Sequence, residues 1–189
     1  MTDLSPLGAL IAAQDWAGAE RLLRAAATAP NAPAAVFYNL AKVLEAAGQD
    51  AERRDWLQRA VAADPGYAIA WFELARAALA EDALEAAQDG FARAWALAPQ
   101  DGDAALSLAR VALRRGDWAE ALRAAQPLGP LAEARAIRYR ALCETGQRAA
   151  AQEEMAALLA VPNARPHALK ALTRVARGRL PLRLPAAGG

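Results

Sequence analysis

The chain has 189 residues, of which 56% are apolar and largely alanine, and it carries 22 basic against 21 acidic side chains. That length suits one domain of ordinary size, and a net charge of +1 argues against a surface built as a whole for nucleic acid. A single cysteine, Cys143, excludes an internal disulfide and a cysteine-based structural zinc site.

In chain order, the apolar periodicity predicts five pairs of helices followed by a single one. The pairs are 5–13 with 17–28, 34–47 with 51–63, 67–80 with 83–97, 102–115 with 118–126, and 131–145 with 148–160. A last helix near 167–177 would cap the stack. The opening run Leu7–Ala13 lacks a basic flank and ends at Gln14-Asp15, so it does not read as a signal peptide. No later run is long and apolar enough to span a bilayer, and cytoplasmic residence is the expectation. Gly48, Gly116 and Gly146 fall between paired helices, and Pro65 and Pro99 separate one pair from the next. Asp82 with Glu85, and Asp117 with Glu120, have the spacing of capping boxes ahead of second helices.

Pro65 and Pro99 are 34 residues apart, and the blocks that end on them align. Leu40, Leu74 and Leu108 share one position, and Ala41, Ala75 and Ala109 the next. Leu57 matches Phe91, and Ala60 matches Ala94. Alanine at the second of these positions lets paired helices approach closely, while leucine and aromatic residues at helical spacing form a buried stripe. The five tryptophans, at 16, 56, 71, 95 and 118, are expected to pack in the core. The fourth block places Arg138 and Tyr139 where a leucine and a small residue are expected.

This pattern of Trp71, Leu74, Ala75, Ala87, Phe91, Ala94 and Pro99 resembles the tetratricopeptide repeat family. The likeness is clear over 34–128 and degenerate towards both ends. It implies an all-α fold, a right-handed α-solenoid of stacked helix-turn-helix hairpins over 1–178, in which neighbours bury what one hairpin cannot. Residues 179–189 read as an extended or disordered basic tail rich in leucine and proline.

No catalytic constellation is present in the sequence, and no enzyme activity, cofactor or metal is expected. His167 is the single histidine, and it follows Pro166 at a predicted helix start, where a structural or exposed role is expected. No HExxH, CxxC, phosphate loop or GxSxG occurs. Cys143 is expected to pack as a small apolar residue.

The resemblance implies instead that first helices line a concave groove that receives a protein or peptide partner. Carried over residue by residue, the groove positions include Tyr38, Asn39 and Lys42, then Phe72, Glu73 and Arg76, then Leu106, Arg110 and Arg114, and Arg140 in the degenerate fourth block. Lys42, Arg76, Arg110 and Arg140 share one repeat position, so the groove would carry a basic ladder beside apolar anchors and favour an acidic partner. The family's carboxylate clamp for peptide C-termini is not matched: Asn39 fits one of its positions, but Glu73 brings a negative charge where a neutral amide is wanted. Residues 161–189 carry six basic residues and no acid, which leaves 1–160 at −5 against +1 for the whole. Leu180, Leu182 and Leu184 alternate with proline and arginine in that tail and are candidates for docking as an extended segment. The reading is an interaction adaptor or scaffold. The alternatives are a structural subunit held by its tail and convex face, or an accessory domain for a separately encoded enzyme.

Overall fold

The computed structural model describes residues 2–175. The tail, with Leu180, Leu182 and Leu184, lies outside the described residues, as does the expected end of the capping helix beyond Val175. Among the described residues every element longer than one turn is an α-helix, and there is no strand. The helices are α1 (Leu7–Ala12), α2 (Trp16–Ala27), α3 (Ala34–Ala46), α4 (Arg53–Ala63), α5 (Ala68–Ala80) and α6 (Leu84–Leu97). They continue with α7 (Gly102–Arg115), α8 (Trp118–Ala125), α9 (Ala132–Glu144), α10 (Arg148–Leu159) and α11 (Arg165–Val175). Each predicted helix is present.

The repeat is written into the backbone at the turns. Gln14, Gly48, Asp82, Gly116 and Gly146 all have positive φ, between 55° and 79°. They stand at one position of successive hairpins, where the chain reverses in the left-handed conformation that glycine adopts without strain. This corrects the expectation for Asp82. It takes the left-handed position itself, so the N-cap of α6 falls on Ala83 and no side chain caps that helix. Asp117 sits one residue later in its own repeat and does cap α8, its Oδ1 accepting the Glu120 N–H at 3.2 Å. Asp15 plays the same part for α2, accepting the Gly18 N–H at 2.9 Å.

Packing divides the chain into two compact units, Met1–Ala104 and Ala105–Gly189, with the division in the first turn of α7. In the first unit, Leu23, Leu40 and Leu44 are fully buried among small residues. Alanine makes the close approach between helices. Ala41 and Leu57 are inaccessible to solvent in a small cluster with Ala77. The closest approach is between α5 and α6: a Cβ added to Gly90 would lie 2.8 Å from the Ala75 Cβ and 3.3 Å from the Trp71 carbonyl. Gly90→Val is therefore expected to destabilise this unit by about 1–3 kcal/mol through overpacking, despite valine's better helix propensity. Urea denaturation measures it, and an unchanged midpoint would show that α5 and α6 can separate freely.

None of the five tryptophans is fully buried; each is half-buried. Trp71 Nε1 donates to the Pro65 carbonyl at 2.9 Å, and Trp95 Nε1 to the Pro99 carbonyl at 3.1 Å, so both prolines of the repeat motif are tied to a ring. Trp56 stacks on Phe37 and lies under the guanidinium of Arg59, 4.3 Å from the ring centre. Cation–π contact of this kind offsets the cost of leaving a large ring half in water.

In the second unit, α11 packs on α9 and α10 through Ala164, Ala168 and Ala171 against Ala136 and Leu158. Ala136 on α9 is thereby buried. The helix expected to cap the stack packs mainly on α9 and little on α10, unlike α3, α5 and α9, each of which packs on the second helix before it.

Candidate partner-binding site

The predicted groove residues are divided between the two units. In the first unit they lie on α3 and α5. Tyr38 meets Tyr67 edge-on at 5.5 Å, and Phe72 meets Phe91 edge-on at 5.3 Å, so both expected apolar anchors are half-buried against their own fold. Asn39 is half-buried beside them on α3.

Glu73 requires a correction. It was expected on an open face, yet it is 7% exposed and is the hub of a charge cluster. Arg53, at the start of α4, reaches across and donates from Nη2 to Glu73 Oε2 at 2.7 Å. Arg76 Nη1 bonds both Glu73 oxygens at 2.8 and 2.9 Å, and Lys42 Nζ lies 3.3 Å from Oε1. Glu45 completes the group through Lys42 and Arg53. Three cations thus share two carboxylates, and Lys42 and Arg76 are rungs of a ladder whose charge is largely balanced within its own unit. Burial alone would raise the pKa of Glu45; the Lys42 hydrogen bond and the charges of Arg53, Lys42 and Arg76 outweigh it and hold the carboxyl below its ordinary range.

In the second unit, α7, α9 and α11 enclose an open cavity of about 500 Å³. Its polar wall is made by Arg110, Glu133, Arg140, His167 and Lys170. Leu113, Ala136, Ile137 and Ala171 form an apolar floor. Arg110 grips Glu133 with two parallel bonds, Nε to Oε1 at 2.7 Å and Nη2 to Oε2 at 2.5 Å. That hydrogen bond, against the opposing effect of burial, lowers the Glu133 pKa, and the charges of Arg110, His167 and Lys170 add to it. Arg140 differs. Its Nε is buried and has no hydrogen-bond partner among the described residues. Burial, with the nearby charge of Arg174, depresses its pKa against the pull of Glu144. Leu106 is half-buried on α7, and Arg114 is exposed on its last turn.

Sequence reasoning missed His167 and Lys170 as site residues because α11 was taken for a cap. The signal was present: Lys170 follows Arg140 by 30 residues, as Arg140 follows Arg110. The shortened spacing between Arg110 and Arg140 has a structural cause. Helix α8 is eight residues long and tightens into a 3₁₀ turn, Gln126–Leu128, around Pro127. Arg138, standing where leucine was expected, fills the space this leaves. It is 4% exposed and donates to the Ala125 and Gly129 carbonyls at 2.7 and 3.1 Å and to Glu154 of α10 at 2.9 and 3.1 Å. A cation at the end of α8 meets the carbonyl end of the helix, where positive charge is favoured.

Folded-state pKa values below the ordinary ones, as for Glu45 and Glu133, stabilise the fold above about pH 4.5. As pH falls through the lowered folded values, protonation removes that contribution. Urea midpoints are therefore expected to be level from pH 7 to about 5 and to fall below about 4.5, with Glu133→Gln reducing the drop. An equal drop in Glu133→Gln would place the acid sensitivity elsewhere.

Helix pairs reversed by left-handed turns at a 34-residue spacing, with alanine at the close contacts, define a helical-repeat protein of the α-solenoid class. Residues 34–77 match the family model of the tetratricopeptide repeat. No curated protein matches the chain. Among solved structures, the MamA protein aligns at 22% identity over 96% of both chains, with a TM-score of 0.67. YrrB, a TPR protein with an unusual peptide-binding site, aligns at 19% identity over 75% of this chain and 77% of its own, with a TM-score of 0.62. The TPR-like repeats of a Podosopora anserina putative kinesin light chain align at 21% identity over 88% and 93%, with a TM-score of 0.55. Residues 34–77 thus carry a tetratricopeptide repeat, and the solved structures share the helical-repeat fold of the chain. The repeat scaffold is in general one for protein–protein interaction. Among the described residues no helix is long and apolar enough to cross a membrane, and no group of three or more His, Cys, Asp or Glu side chains is placed to hold a metal ion.

Proposed function

We propose that this protein is a non-catalytic interaction scaffold that holds an acidic segment of a protein partner on its first helices, in the cytoplasm. The observation that carries the reading is the cavity of the second unit, where the repeat positions of Arg110 and Arg140 converge over an apolar floor. A surface of this kind offers a side chain an apolar seat and a charged rim, the usual anatomy of a recognition pocket. The charge cluster around Glu73 supports the reading less, since its cations are already shared with carboxylates of the same fold.

The test is affinity capture from the native cell with the intact chain, compared with Arg110→Glu/Arg140→Glu and with Arg148→Glu, an exposed residue on α10. Partners identified by mass spectrometry should be retained by Arg148→Glu and lost by the double reversal, and capture should weaken as salt rises. Equal retention by both variants, each with a native circular dichroism spectrum, would remove the cavity from the interface.

A further inference from the structure

Resting on the scaffold reading, we infer that α11 is one wall of the ligand site: Arg140 and Lys170 receive a carboxylate of an extended acidic–apolar segment, and the Arg110–Glu133 pair is a built-in competitor that the segment displaces.

The cavity is closed on its third side by His167 and Lys170, both on α11, so without that helix it would be an open slope of α7 and α9. Arg140 shares the lining of the cavity with Arg110 and Lys170, and the charges of Arg174 and Glu144 also act on it. Its buried Nε is unsatisfied among the described residues. A buried donor without an acceptor is costly, and an arriving carboxylate would supply the missing bond. Glu133 occupies the guanidinium of Arg110. Glu133 thus holds the place that a ligand acid would take.

The chemistry of the floor selects the ligand class. Leu113 and Ile137 suit an apolar side chain, and an extended chain presents side chains on one face at every second residue, about 7 Å apart. A segment that alternates acidic and apolar residues on that face would fill both parts. A phosphate group fits less well: it needs several donors around a dianion, whereas the carboxylate of Glu133 stands on this wall and apolar groups make the floor. The chain's own tail carries Arg177, Arg179 and Arg183 and no acid, so its charge opposes docking among these cations.

The experiment uses the full-length chain, labelled with ¹⁵N and titrated with a capped peptide of glutamate and leucine in the pattern Glu-Ala-Leu-Ala-Glu-Ala-Leu. The control peptides carry glutamine or phosphoserine in place of glutamate. Amide shifts are expected on α9, α11 and the second half of α7, with the glutamine peptide binding at least about tenfold more weakly, the loss of one charge-assisted bond. Arg140→Met, which removes an unsatisfied group and should not unfold the protein, is expected to weaken the glutamate peptide about tenfold, and Lys170→Gln about threefold. Glu133→Gln removes the competing carboxylate from Arg110 and is expected to tighten binding about threefold or more. Several results would overturn the inference: no saturable shift with the glutamate peptide, shifts confined to residues 2–104, equal binding of the glutamine peptide, tighter binding of the phosphoserine peptide, or unchanged affinity in both Arg140→Met and Glu133→Gln. If the inference fails while the intact chain still loses its captured partner on Arg110→Glu/Arg140→Glu, the scaffold reading stands and the ligand assignment falls. If neither binding nor capture responds, both fall.

Discussion

Arg138→Ala is expected to destabilise the second unit by about 3–5 kcal/mol, the usual cost of removing one member of a buried ion pair. The loss has identifiable parts. Glu154 of α10 surrenders its two bonds from Arg138 and keeps the single one from Arg135 at 3.1 Å. The carbonyls of Ala125 and Gly129 lose their donors at the end of α8, a place that water reaches poorly. The aliphatic stem of the arginine also leaves a gap where the other repeats have leucine. Arg138→Lys should recover a minor part of the stability, since an ammonium cannot grip a carboxylate with two parallel bonds while also reaching two carbonyls. Hydrogen exchange read by mass spectrometry checks it: peptides from α8, α9 and α10 should lose protection before others. A change below about 0.5 kcal/mol, the range of ordinary surface substitutions, would show that the network is ornamental to stability.

Glu73→Ala is the second large effect. Arg53 is buried, and its closest acid is Glu73 at 2.7 Å. Glu45 remains at 3.1 Å, already shared with Lys42, so the cluster would change from three cations on two carboxylates to three on one. A destabilisation of about 3 kcal/mol is expected, at the lower end of the range for a broken buried pair because Glu45 keeps part of the compensation. The paired measurement is a double-mutant cycle with Arg53→Met, in which the double variant should be more stable than Glu73→Ala alone. If the two effects simply add, the ion pair contributes nothing beyond its separate side chains. Glu73→Ala also bears on function. It leaves Lys42 and Arg76 with less neutralisation, so the first unit should gain affinity for acidic probes even as it loses stability.

The two units make different uses of the same repeat position. Lys42 and Arg76 serve mainly to stabilise their own unit, whereas Arg140 lines a cavity with its buried Nε unsatisfied among the described residues. A ladder of like residues in the alignment is therefore not a ladder of like chemistry.

The sequence by itself determined the helices, their turns and the repeat. Apolar periodicity, the turn glycines at 48, 116 and 146, and alanine at 41, 75 and 109 all act within one hairpin or between adjacent ones, so local pattern suffices to read them, whereas the left-handed backbone of Gln14 and Asp82 carries no glycine to mark it. Only the tertiary structure decided the partners of the charges. Glu73 takes its neighbours from α3, α4 and α5, and Arg138 from α8 and α10, at separations of up to 31 residues along the chain. Such contacts depend on where a long flexible side chain can reach once the helices are packed, which repeat position does not encode. The same holds for α11. Its sequence shows an amphipathic helix, but its seat on α9, and with it the third wall of the cavity, rests on the contacts of Ala164, Ala168 and Ala171 that the folded chain brings together.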